Sequence, residues 1–216
     1  MGLCVNSPAS DLISRVSSAS ISDAMARRFS HRWHILDLVS PTPGAVLHGW
    51  AATVRFLPRR DDLRNADVHD FMPATLAAAG EDPSGRVLVV TTGSYRHAAV
   101  AGGKKLTLVD ALGFSGLLTD GRLRDFDEAR QLSGVFYCGG EAVLADRSDL
   151  MAFEANAAVE LAAALITPGD WIYADAAGAV IVPGDHVQGV LEAAAERERA
   201  DAAESERIRR TYRRTP

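Results

Sequence analysis

The sequence predicts an α/β domain followed by a C-terminal helical arm. Three observations predict it. Residues 86–92 and 114–118 are short apolar runs bounded by glycine and polar residues, the pattern of buried strands. Between them, Gly102-Gly103-Lys104-Lys105 opens a helix over 106–112 that stops at Gly113. From His186 onward the chain reads as one long helix, apolar at its start and charged nearly throughout after Glu192. We therefore divide the chain into an α/β domain over 1–185 and a helical arm over 186–216.

The elements follow in order. Residues 1–10 carry no periodicity. Residues 11–29 read as a helix in two pieces, with Ser20 or Ser22 as N-cap of the second. Pro41, Pro43 and Gly44 mark a turn, and 45–56 reads as one or two strands with a bulge at Gly49. Residues 68–79 predict a helix ending near Gly80. The strand over 86–92 closes at Gly93, and Ser94, Tyr95, Arg96 and His97 form a polar cluster after it. After 114–118, Thr119-Asp120-Gly121 is a turn signal, because glycine allows positive φ and aspartate bonds its own backbone. Residues 126–131 read as a helical turn and 135–138 as a strand. Residues 155–166 are apolar and alanine-rich, compatible with strand or helix. Residues 171–175 and 179–183 form a hairpin-like pair of strands, turned at Gly178.

With 216 residues, 47% hydrophobic and 24% charged, the chain can bury a substantial core. Its net charge of −5 argues against nucleic-acid binding, which needs a basic face. Two cysteines, Cys4 and Cys138, make neither a disulfide framework nor a metal cluster, so a cytoplasmic setting is expected. Cys138 reads as a buried small hydrophobe rather than a nucleophile. No apolar run is long enough to span a membrane, no secretory signal is recognisable, and Gly2 lacks the Ser or Thr of a myristoylation motif. The spacing of His31, His34 and His48 fits no zinc pattern.

Candidate chemistry gathers at two places. Arg124 and Asp125 follow the buried strand at once. Arg124 offers a planar fork for a carboxylate, and Asp125 offers hard oxygens suited to Mg²⁺ or Mn²⁺. A solvated surface pair is the plain alternative. Gly102, Gly103, Lys104 and Lys105 open a helix whose free N–H groups and dipole favour an anion, against the alternative of a solvated helix start.

The run Asp120-Gly121-Arg122-Leu123-Arg124-Asp125 resembles the Asp-Gly-x-x-Arg-Asp signature of the RraA-like family. Ser20-Ile21-Ser22-Asp23-Ala24, Pro43-Gly44, Gly85-Arg86-Val87-Leu88-Val89-Val90 and Gly169-Asp170-Trp171-Ile172-Tyr173-Ala174-Asp175 resemble further family segments in the same order, over roughly 12–195. The family includes class II aldolases acting on 4-hydroxy-4-methyl-2-oxoglutarate and 4-carboxy-4-hydroxy-2-oxoadipate, and a regulator of ribonuclease activity. The resemblance implies a three-layer swivelling β/β/α domain assembled as homotrimers or homohexamers, with sites between subunits. It implies that Arg124 holds the carboxylate of a 2-oxo acid, that Asp125 binds a divalent metal, and that Gly102 to Lys105 supply N–H groups to the substrate.

Two departures stand out. Gly103 occupies the position where the family's aldolases carry an acidic residue, and Thr91-Thr92-Gly93 replaces the usual strand ending. Tyr95, Arg96, His97, Lys104 and Lys105 suggest a strongly basic pocket. Three readings result: a metal-dependent lyase (aldolase or oxaloacetate decarboxylase) working through a pyruvate enolate; a non-catalytic regulator on the same scaffold; and a specialised enzyme using Lys104 or Lys105 as a Schiff base. Glu196 and Glu198 are candidates for an acidic residue reaching a neighbouring subunit.

Overall fold

The computed structural model describes residues 10–93, 95–145 and 149–213. Gly2, Cys4 and Ser94 of the sequence reading lie outside them. Two helices begin the described chain, α1 (Ser10–Ile13) and α2 (Ser18–Ala26). The cap of α2 is Ser17 rather than Ser20 or Ser22. Ser17 Oγ accepts from Ser20 N, while Ser20 Oγ accepts from Ser17 N, a capping box closed by two serines.

An eight-stranded sheet forms the middle layer. Its strands are β1 (His34–Ile35), β2 (Leu47–Pro58), β3 (Arg86–Thr91), β5 (Gly116–Thr119), β7 (Val135–Tyr137), β8 (Leu150–Ala155), β11 (Trp171–Asp175) and β12 (Gly178–Val182). They lie in the order β1-β12-β11-β2-β3-β5-β7, with β8 also pairing β2. Strands β2, β3, β5 and β7 run parallel, and β11 and β12 are antiparallel. The bulge lies between Arg55 and Phe56, not at Gly49. Gly49 is required for a different reason: a Cβ there would stand 2.5 Å from Gly85 O, and its φ is +152°.

Helices cover one face of the sheet. The predicted helix over 68–79 is two, α3 (Ala66–His69) and α4 (Phe71–Ala79), because Asp70 adopts extended backbone between them. With α5 (Gly103–Ala111) and α6 (Phe126–Ala129), α4 packs Phe71, Ala74, Leu106, Val109, Phe126 and Ala129 against Leu88, Val90 and Leu117. On the other face lies a small β layer. The ambiguous apolar stretch forms two short antiparallel strands, β9 (Val159–Leu161) and β10 (Ala164–Ile166), joined through Ala162 and Ala163 at positive φ. Their inward residues alternate with exposed ones and meet Val87, Val89 and Leu118. This β/β/α layering is the α/β architecture predicted.

The long helix α7 (Val187–Tyr212) begins inside the fold. Val187, Val190, Leu191, Ala194 and Ala195 are buried with Ile21 and Met25 of α2 and with Trp171 and Val182. Beyond residue 198 the helix is exposed.

Candidate functional site

The parallel strands point their C-terminal ends toward one edge, where α/β folds place chemistry. There β4 (Ala99–Ala101) pairs in parallel with β6 (Arg122–Leu123). This short ribbon sets the start of α5 beside the Arg124-Asp125 pair, because Arg124 N donates to Ala101 O at 3.1 Å.

Asp125 has left-handed backbone, φ 63° and ψ 46°. That conformation costs a side-chain-bearing residue about 1–2 kcal/mol, and aspartate is among those that enter it most readily. It turns the carboxylate back onto α5, where Oδ2 accepts from Gly103 N at 3.0 Å. The same oxygen stands 3.4 Å from Arg124 Nε. Both side chains are about two-fifths exposed, 44% and 39%, so the pair itself adds at most about 1 kcal/mol. Its importance is positional: Oδ1 has no partner among the described residues, and the Arg124 guanidinium keeps its Nη groups open.

The two glycines make this packing possible. A Cβ on Gly102 would stand 2.6 Å from both Arg124 Cγ and Asp125 Oδ2. A Cβ on Gly103 would stand 2.8 Å from Glu128 Cδ and overlap its Oε2. Neither glycine has positive φ. What each position demands is room for the side chains of Arg124, Asp125 and Glu128.

These groups line a cavity of about 340 Å³ with Lys104 and Lys105. Lys104 is exposed. Lys105 turns partly away: Nζ donates to Val100 O at 2.6 Å and lies 4.9 Å from the Phe71 ring centroid. The first N–H of α5 is taken by Asp125. The next, of Lys104, belongs to the helix's first turn and carries the positive end of its dipole.

The single basic pocket expected from sequence is two cavities. Arg96 and His97 line another, also of about 340 Å³, with Arg122 and Asp120. Tyr95 is exposed. Asp120 is buried, accepts from Thr92 N at 2.8 Å and Thr92 Oγ1 at 3.1 Å, and lies 3.8 Å from Arg96 Nε. Burial pushes its carboxyl above the ordinary value, against the opposing pull of Thr92 and Arg96. The unusual Thr91-Thr92-Gly93 ending thus supplies donors that hold the first residue of the signature.

Sequence reasoning missed two carboxylates. Glu141 Oε1 accepts from Phe126 N at 3.2 Å and ties down the start of α6. Glu128 projects from that same short helix into the cavity; its position three residues after Asp125 was the signal available. Glu198 is engaged within its own chain, accepting from Ser17 Oγ at 2.6 Å, and Glu196 is exposed. Cys138 is buried, with its thiol pushed up by burial. Among the described residues no three His, Cys, Asp or Glu side chains come together as a metal cluster, and His48 lies against Trp171.

Fold and site define an α/β protein whose arginine and aspartate meet a helix N-terminus across a small polar cavity. The profile described as RraA-like, Aldolase/RraA, matches residues 18–181, and the chain belongs to that family. Over 105 residues it is 35% identical to proteins of Burkholderia mallei (strain SAVP1) and Burkholderia pseudomallei (strain K96243), both named "Putative 4-hydroxy-4-methyl-2-oxoglutarate aldolase". That match spans 48% of this chain and 62% of the relatives' length. Among solved structures, Streptomyces coelicolor RraAS2, described as an unusual member of the RNase ES inhibitor RraA protein family, superimposes with a TM-score of 0.77. Identity is 26%, covering 92% of this chain and 97% of that one. RraA from Thermus thermophilis, described as an RNA-processing inhibitor, shares the fold at TM-score 0.57 and 18% identity, covering 76% and 92%.

Proposed function

We propose that the protein is a divalent-cation-dependent lyase that cleaves or decarboxylates a 2-oxo acid through a pyruvate enolate. The observation that carries this reading is the convergence of Arg124, Asp125 and the α5 N-terminus on one cavity. A 2-oxo carboxylate meets complementary groups there: the Arg124 fork, and the Lys104 N–H at the positive end of the α5 dipole. The donor set fits Mg²⁺ or Mn²⁺. Asp125 keeps one carboxylate oxygen free, and such ions are commonly held by one or two carboxylates with water filling the other positions. A bound cation supplies charge that stabilises the enolate as it forms. Arg124 would fix the substrate's orientation, and Asp125 would hold the cation.

The enzyme works in the cytoplasm as a homotrimer or a pair of trimers. The exposed distal part of α7 supplies surface for a neighbouring subunit.

Gly103 favours a second reading. It lacks the acid that the family's aldolases carry there, and RraAS2 is described as belonging to an inhibitor family. On that reading the chain is a regulator that acts by binding. Pyruvate release from oxaloacetate and from 4-hydroxy-4-methyl-2-oxoglutarate, measured with Mg²⁺ and with EDTA, separates the two. Chelator-sensitive release supports the lyase. Absence of release, with concentration-dependent inhibition of a ribonuclease that EDTA leaves unchanged, supports the regulator.

A further inference from the structure

A further cavity lies against the first turn of α5, on the side of α3 and α4. It measures about 470 Å³, against about 340 Å³ for the one at Arg124. That size suits a small organic molecule. Lys104 and Lys105 line both cavities, so the first turn of α5 is their shared wall. Lys105, which turns partly away from the Arg124 cavity, turns toward this one. Its Nζ lies 4.9 Å from the ring centroid of Phe71, and Phe71 lines the larger cavity.

The cavity has two characters. Its apolar lining comes from Phe56, Phe71, Leu108, Leu150 and Met151, with Met72 added from α4. The Phe56 and Phe71 rings meet edge to face, centroids 6.5 Å apart at 72°. Aromatic rings and thioethers are good partners for a flat π-system. The charged lining is mostly positive: Arg59, Arg64, Lys104 and Lys105 against one carboxylate, Asp70. That carboxylate is already engaged, with Oδ1 at 2.5 Å from Arg64 Nη2. Lys104 is exposed and has no ion-pair partner among the described residues. His69 adds a donor, because its Nδ1 accepts from Asn65 N at 3.1 Å and the ring proton is left on Nε2.

We infer that this cavity binds an aromatic carboxylic acid, with its ring on the Phe56 and Phe71 surface and its carboxylate among the cations. A small inorganic anion would leave the apolar surface in water. A neutral hydrocarbon would take water from the cations and give them nothing in return. A flat apolar body with one negative end satisfies both halves of the lining. The cavity holds neither Arg124 nor Asp125. The inference therefore stands apart from the lyase reading, and either can fail without the other.

The test is calorimetry of 2-naphthoate, and of its neutral counterpart 2-naphthamide, on the full chain. 2-Naphthoate should bind with a Kd below about 1 mM, as expected for a ligand of that size. Its affinity should fall as salt rises, because exposed cations are screened. 2-Naphthamide should bind at least about fivefold more weakly, the scale of losing partly exposed charge pairs. Met72 is 57% exposed, so the fold does not depend on it. Met72→Glu sets a like charge against the carboxylate and should weaken 2-naphthoate by at least about tenfold. Met72→Leu should bind as wild type does. Arg124→Ala should also bind as wild type does, which places the probe outside the Arg124 cavity. Absence of 2-naphthoate binding, equal binding of the amide, Met72→Glu behaving as wild type, or binding lost in Arg124→Ala would each overturn the inference.

Discussion

At the scale of single residues, the site is explained by what glycine leaves out. Neither Gly102 nor Gly103 has positive φ; Gly102 is crowded by Arg124 Cγ and Asp125, whereas Gly103 meets only the flexible end of Glu128. The Gly-Gly was legible in the sequence as a helix start, but its reason was not. Glu128 is distant from Gly103 along the chain, and α5 and α6 meet through the β4–β6 ribbon, the Gly103–Asp125 hydrogen bond and shared core packing. A clean consequence follows for Gly103→Ala. Alanine gains up to about 1 kcal/mol of helix propensity over glycine, so thermal stability should hold or rise. The Glu128 carboxylate, the flexible end that fills the space, must swing aside. A marked fall in the thermal melting temperature would contradict this account.

Asp125 is the other residue whose role depends on backbone. Its identity was legible from Asp-Gly-x-x-Arg-Asp, whereas its left-handed conformation was not, since no local glycine announces it. Gly116 shows the opposite case. A Cβ there would overlap Val135 O and lie 2.7 Å from the carbonyl carbon, at φ +153°. Gly116→Ala should lower unfolding free energy by about 3 kcal/mol, read from urea denaturation.

At the scale of elements, strongly apolar runs were legible and their punctuation less so. The strands over 86–92 and 135–138 and the 171–183 hairpin appear where the pattern places them, because β-branched content and flanking turns agree. The 68–79 helix is interrupted at Asp70, where apolar periodicity gave no warning. The cap of α2 moved to Ser17 because several serines nearby could serve, and tertiary contacts choose among them. Asp175 accepts from both Ser18 N at 2.9 Å and Ser18 Oγ at 2.7 Å, while Glu198 holds Ser17. Ser17→Ala should destabilise the protein by about 1 kcal/mol, with no change in the site. A thermal melt together with Mg²⁺-dependent pyruvate release checks both halves of that statement.

At the scale of the whole molecule, layering and site location were legible from the order of strands and the signature. The division of basic groups into two cavities was not. Arg96 and His97 precede Lys104 by only a few residues, yet β4 lies between and they line a different cavity. The Asp120 cavity gives the molecule a pH signature. Burial favours the neutral carboxyl in the fold, so the folded pKa exceeds the unfolded one. This group's contribution is fully present below the ordinary carboxylate pKa and is lost as pH rises through the raised value. Asp120→Asn keeps an oxygen for both Thr92 donors and removes the titration. The stability of wild type relative to this variant should therefore decline as pH rises above the ordinary carboxylate value and level off once the raised value is passed. A difference that grows with pH would reverse the assignment.

The central claim is that Arg124 and Asp125 form a working cation and carboxylate site. The most direct measurement is Mg²⁺-dependent pyruvate release from oxaloacetate by wild type and Asp125→Asn. Asparagine enters the left-handed region as readily as aspartate, so the fold is retained and only the charge is removed. The account predicts release by wild type that EDTA abolishes, and a loss of at least about 100-fold in the variant, the scale set by removing a metal's electrostatic contribution. Equal release by the two proteins, or release indifferent to EDTA, would contradict it.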